Sequence, residues 1–251
     1  MNPRLEVFGI LGVPSVKGGD DIGKIIVDAA NHQGLSFQDG DIIVVAQKIV
    51  SKSEGRIVDL RNVTPSAFAR RIAKRNKKHP SHVEVILGQT REIIRMEGHH
   101  LITQTHHGFI CANAGVDRSN VESESAVTLL PKDSDASALR LRRRIKKLTG
   151  SEVAVIISDT FGRPWRIGQT NLAIGVSGMR PLLDYRGHRD MYGRSLRLTV
   201  MATADELASA AELAMGKSDR VPVALIRGYK YPKGRGSVKE MIRPRDLDLF
   251  R

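Results

Sequence analysis

The longest apolar runs of this chain, such as Ile42–Ala46 and residues 153–157, stop after five residues. That length suits a buried strand and is far too short for a helix crossing a hydrocarbon layer of about 30 Å. Strands are predicted over 5–11, 41–50, 91–96, 101–105, 109–113, 153–158, 196–202 and 221–227. Helical spacing or capping predicts helices over 21–31, 64–77, 82–87, 135–148 and 205–215. Thr64 followed by Pro65 reads as a cap with proline at the first helical position, and Gly150 reads as a terminator. A glycine-rich segment up to Gly178 separates two of the strands. Strands and helices intermingle without a regular βαβ repeat, so the expected class is α+β, with mixed sheets and flanking helices.

At 251 residues the chain can bury a substantial core, as one domain over 1–251 with room for two subdomains. Cys111 is the single cysteine, which excludes an internal disulfide and a thiolate zinc cluster and fits a reducing, cytoplasmic setting. Met1-Asn2-Pro3-Arg4 leads straight into an alternating stretch, without the continuous apolar core of a signal peptide. No membrane partner is expected.

Forty basic residues against 27 acidic ones give a net charge of +13, which favours anionic partners. The basic residues gather at 70–78 and 140–147, where a solvated helix face explains them equally well. Aromatic residues make up only 4%, poor material for stacking bases, so nucleic acid is not the expected partner. The competing RNA-binding reading requires polyanion affinity that falls steeply with salt, and no metal-dependent turnover.

Gly18, Gly23 and Lys24 have the spacing of a triphosphate-binding loop, but Ile25 stands where the loop needs a magnesium-binding hydroxyl. Asp20 and Asp21 would also set carboxylates where phosphates belong. The segment therefore reads as a turn with aspartates capping a helix.

Two other segments present carboxylates at strand ends. Asn113-Ala114-Gly115-Val116-Asp117-Arg118-Ser119-Asn120 leaves a strand through a glycine turn, and Ile156-Ile157-Ser158-Asp159-Thr160 ends a buried run. Such oxygen donors suit magnesium or manganese sharing phosphate oxygens, and equally suit aspartates that only make turns and caps. A third segment, Gln47-Lys48-Ile49-Val50-Ser51-Lys52, sets two lysines at a strand exit, where they can neutralise phosphate or simply be solvated.

Together these segments resemble the coenzyme F-420-0 γ-glutamyl ligase family. The resemblance runs through Glu6-Val7-Phe8, Gly12-Val13-Pro14, Val50-Ser51-Lys52-Ser53-Glu54-Gly55-Arg56 and Ala112-Asn113-Ala114-Gly115-Val116-Asp117. It continues through Ser158-Asp159-Thr160-Phe161-Gly162-Arg163 and Asp190-Met191-Tyr192-Gly193-Arg194 to Arg227-Gly228. The resemblance implies that family's α+β fold in an intertwined homodimer. It also implies a GTP-dependent ligase adding L-glutamate to F-420-0, and then further γ-linked glutamates, through an acyl phosphate. A metal-dependent ligase acting on another carboxylated metabolite is the nearest alternative.

Carried over by residue, the resemblance implies Asp117 and Asp159 as ligands of one Mg2+ or Mn2+ ion and Thr160 as a ligand of a second, with K+ as an accompanying ion. Val13, Pro14, Ser15, Val16, Gln47, Lys48, Lys52, Asn120, Met215, Gly216, Lys217 and Ser218 are the implied GTP contacts. Lys52 is the candidate for stabilising charge on the transferred phosphoryl group. The chain departs from some members in carrying Lys217 where they have an acidic ligand, and in lacking a fused reductase-like domain.

Overall fold

The computed structural model describes residues 4–118 and 125–249. Its largest sheet contains β1 (Glu6–Gly9), β2 (Ile42–Ala46), β8 (Ala154–Arg163), β9 (Arg166–Ser177) and β12 (Val223–Arg227), in the order β1-β12-β2-β8-β9. Only β2 and β8 run parallel, with Ala46 opposite Ser158; the other neighbours are antiparallel. This mixed order agrees with the expected α+β class.

The apolar runs are continuous because both faces of the sheet are covered. Ile43, Val45, Val155, Ile157 and Leu225 point to one side, against α1 (Ile22–His32) and α5 (Ser134–Thr149). Their neighbours Ile42, Val44, Ile156, Ala224 and Ile226 point to the other, against α6 (Thr203–Met215). Alternation of side chains along each strand turns one apolar run into two half-cores. Burying a large aliphatic side chain contributes roughly 1.5–3 kcal/mol, so these strands anchor whatever their ends carry.

A third apolar cluster lies between α3 (Ala67–Asn76), α4 (Pro80–Gly88) and smaller sheets. One pairs β3 (Ile57–Asp59) with β7 (Ala126–Thr128); the other orders β4 (Thr90–Glu97), β5 (His100–Thr105) and β6 (Ile110–Ala112). β10 (Leu183–Asp184) and β11 (Val200–Met201) form a two-stranded ribbon.

Several elements differ from expectation. The strand predicted over 41–50 stops at Ala46 and becomes α2 (Gln47–Ser53), because Ile49 and Val50 reach the core at helical spacing. The helix predicted from Thr64 starts at Ala67, since the Ser66 hydroxyl accepts from Ala69 N at 3.1 Å and caps it. The glycine-rich segment is the paired strand β9. The strand predicted over 196–202 shrinks to Val200–Met201. Asp21 caps α1 by accepting from Lys24 N at 3.0 Å, so the apparent triphosphate loop is the expected capped turn.

Candidate active site

The parallel pairing of β2 with β8 stops at Ala46 and Ser158 while β8 runs on to Arg163 beside β9, so the strand expected to end at Asp159 continues past it, and the candidate residues collect where the pairing stops. Ala46 faces Ser158, so the next residues on each chain are Gln47 and Asp159. Beyond Ala46 the chain turns at once into α2, which carries Lys48 and Lys52 four residues apart on one helix face. Lys48 Nζ donates to Asp117 Oδ2 at 2.7 Å. Both partners retain some solvent exposure, so this ion pair is exchangeable rather than a sealed structural bridge.

Asp117 arrives from the extended segment after β6. Its main chain is clamped to β7: Asp117 N donates to Thr128 O at 3.0 Å and Thr128 N to Asp117 O at 2.8 Å. Asp159 and Thr160 lie on β8 just past a β-bulge, where Ile157 pairs with Gly175 and Ser158 with Ala173. The extra residue, Ile174, twists β9 locally and brings Asn171 opposite Thr160. The Thr160 hydroxyl donates to Asn171 Oδ1 at 2.7 Å.

The cluster is electrostatically coupled. Burial pushes the Asp159 carboxyl up to about 6; the Thr160 main-chain N–H opposes this, the charge of Asp117 reinforces it, and Lys48 and Lys217 oppose it. Burial likewise pushes the Cys111 thiol of β6 up to about 12, with Asp159 adding to the rise. Cys111 is therefore a buried thiol that packs behind the carboxylates and not a nucleophile.

Lys217 enters the same cluster. It follows Gly216, the residue that ends α6, and its Nζ donates to the Thr160 hydroxyl and, at 3.0 Å, to Asn171 Oδ1. Met215 is buried in the sheet's second half-core, and Ser218 Oγ donates to Asp219 Oδ1 at 3.1 Å.

The remaining expected contacts divide by burial. Val13 and Val16 pack against the core beside α1 and α2, which leaves Pro14 and Ser15 at the surface. Gln47 is buried; its Oε1 accepts from Ser51 Oγ at 2.8 Å, while its Nε2 has no hydrogen-bond partner among the described residues. Lys52 is half-buried, and Asn120 lies outside the described residues. Asn171 is a site residue with no signal in its local sequence, since only the pairing of β9 with β8 brings it to Thr160.

Among the described residues, no group of three or more histidine, cysteine or acidic side chains could hold a metal ion. Two carboxylates suit a different kind of site: an oxygen-seeking ion such as Mg2+ takes few protein ligands and completes its shell with phosphate and water. Asp117 and Asp159 fit that description. Thr160 fits it poorly, because its hydroxyl already faces an ammonium.

A family model described as F-420-0:gamma-glutamyl ligase matches residues 11–228. Three curated proteins called coenzyme F-420:L-glutamate ligase are similar to the chain over its whole length. The protein of Methanothermobacter thermautotrophicus is 50% identical over 250 residues, covering 98% of this chain and 99% of that protein. The one from Methanocaldococcus jannaschii is 45% identical over 249 residues, covering 99% and 97%. That of Archaeoglobus fulgidus is 41% identical over 249 residues, again covering 99% and 97%.

Proposed function

The chain belongs to the F-420-0:gamma-glutamyl ligase family, and from that premise we propose that it is a GTP-dependent ligase of coenzyme F-420 biosynthesis. It joins L-glutamate to F-420-0 and then adds further γ-linked glutamates. The observation that carries this reading is the meeting of Lys48, Asp117 and Asp159 where the pairing of β2 with β8 stops. Carboxylates for a divalent ion beside ammoniums for phosphate are what phosphoryl transfer requires, because that reaction is chiefly positioning and charge stabilisation.

The chemistry divides into two displacements. A carboxylate oxygen of F-420-0 forms a bond to the γ-phosphorus of GTP as the bond from phosphorus to the β–γ bridging oxygen breaks, and GDP leaves. The deprotonated amine of glutamate then attacks the acyl carbon; the bond to phosphate breaks and the nitrogen loses its remaining extra proton. Asp117 and Asp159 would hold Mg2+ or Mn2+, which when bound would supply charge neutralisation and orientation at the triphosphate. Lys48 exchanges its bond to Asp117 for one to a phosphate oxygen, and Lys52, one turn along α2, follows the transferred group. Gln47 Nε2 is a spare donor beside them.

The active form is a cytoplasmic homodimer. Trp165 and Ile167 at the β8–β9 tip, and Met191, Tyr192 and Leu198 further along the chain, are large apolar side chains exposed to solvent, Ile167 completely so. A second copy of the chain is the occupant that covers them. Light scattering of the purified protein at micromolar concentration should give twice the chain mass.

The decisive assay is GDP release with F-420-0 and glutamate together, and with each left out, followed by mass spectrometry of the product. Sustained release that needs both, and a mass gain of one or more glutamyl residues, supports the proposal; without glutamate the first displacement can release at most about one GDP per protomer. Sustained release with F-420-0 or glutamate left out, or equal turnover with ATP, overturns the substrate or nucleotide assignment.

A further inference from the structure

The turn that delivers Lys217 depends on a glycine. Gly216 has φ +60° and ψ −175°, a conformation open essentially to glycine alone, and a Cβ there would lie 2.3 Å from Asp219 Oδ2. This bend ends α6 and returns the chain over the Thr160–Asn171 pair. Lys217 Nζ then meets three oxygens: the Thr160 hydroxyl, Asn171 Oδ1 at 3.0 Å and Glu212 Oε1 at 3.9 Å. An ammonium surrounded by hydroxyl, amide and carboxylate oxygens has the neighbours of a bound hard cation.

The oxygens are held in place independently of Lys217. Asn171 is only 5% exposed, its main-chain carbonyl accepts from Ser209 Oγ at 2.8 Å, and its Oδ1 also takes the Thr160 hydroxyl. Two residues along, Ala173 N donates to Asp205 Oδ1 at 2.8 Å, pinning β9 to the first turn of α6. The cation position is thus framed by the same helix that ends in Gly216.

We propose that the Lys217 ammonium is the protein's own second cation, occupying the position beside Thr160 so that the triphosphate meets one divalent ion and one fixed positive charge. The inference rests on the reading that Asp117 and Asp159 hold a divalent ion for GTP. An ammonium cannot coordinate a metal and repels one at this distance, so Thr160 is a lysine partner and not a metal ligand. The arrangement gives the site a cation that cannot be lost to chelation.

The test counts metal without turnover. Mn2+ is titrated into the protein with an equimolar non-transferable GTP analogue, guanosine 5′-(β,γ-imido)triphosphate, and free Mn2+ is read by electron paramagnetic resonance. One Mn2+ per protomer is expected for the unaltered protein and for Lys217→Arg. Lys217→Glu should gain a second Mn2+, bound at least about tenfold more tightly than any second ion in the unaltered protein. Near-UV circular dichroism of each variant checks the fold, which the largely exposed Lys217 side chain does not support. Two comparably tight ions in the unaltered protein, or a single ion in Lys217→Glu, overturn the proposal and leave Asp117 and Asp159 as the metal site. No bound Mn2+ in the unaltered protein overturns both.

Discussion

His82 on α4 should make this protein acid-sensitive by a definite amount. The residue is buried, and its Nε2 has no hydrogen-bond partner among the described residues. Burial lowers its pKa to about 4 from an ordinary 6.5; the positive charges of Lys78, Arg118 and His79 lower it further, and Asp117 alone opposes them. The folded state therefore holds His82 neutral while the unfolded chain accepts a proton. That contribution is fully present above the unfolded value of 6.5 and is lost as pH falls through about 4. A shift of about two and a half units, at roughly 1.4 kcal/mol each, is worth roughly 3.5 kcal/mol, most of it gone by about pH 4.5. For a protein whose total stability is on the order of 10 kcal/mol that is a large share. Urea unfolding at about pH 7.5 and about pH 4.5, on the unaltered protein and on His82→Leu, separates the contribution of His82 from those of other titrating groups. The variant should lose roughly 2–3 kcal/mol less between the two pH values. Identical losses in both proteins would refute the argument that burial holds His82 neutral.

Asp159→Ala should lower turnover by at least about a hundredfold with unchanged circular dichroism, because it removes a carboxylate proposed to hold the divalent ion and no core packing; near-normal turnover would sink the metal assignment. Lys52→Ala should raise the KM for GTP about tenfold while leaving that for glutamate nearly unchanged, as steady-state kinetics with each substrate varied would show. An unaltered GTP dependence would make Lys52 a solvated lysine. Arg227→Ala should cost about 3–5 kcal/mol in urea unfolding. It strips both guanidinium bonds, at 2.9 and 2.7 Å, from the fully buried Asp41 at the start of β2. A cost below about 1 kcal/mol would mean that water or another group satisfies Asp41.

Much of the scaffold was legible because local signals agreed with the packing. The caps at Asp21 and Gly150 mark real helix ends, and the apolar run Ile42–Ala46 is a real strand. Failure came where the apolar period changes without punctuation: Ile49 and Val50 extend the run of β2 in sequence, yet they belong to a helix. β9 was hidden by its glycines. Gly175 is there because a Cβ would sit 2.5 Å from the main chain of Ser134, where α5 begins, so the glycine marks close packing and not a loop. For the site, residue types at strand ends indicated Asp117, Asp159 and Lys48, but no local pattern can reveal a cross-strand partner such as Asn171. The direction of Lys217 likewise follows from the left-handed φ of Gly216 and from Thr160 and Asn171, partners far away in sequence.

The β8–β9 hairpin has a mechanical consequence. Its root lies in the sheet core, Asp159 and Thr160 sit where the strand leaves that core, and residues 162–169 stand exposed beyond them. Such a hairpin is a cantilever with the chemistry at its fulcrum and an apolar load point, Trp165 and Ile167, at its free end. Thr160 and Asn171, the pair that Lys217 grips, stand directly between the exposed tip and the buried root, so the paired strands link the tip to the oxygens around the lysine without any contact of the tip's own.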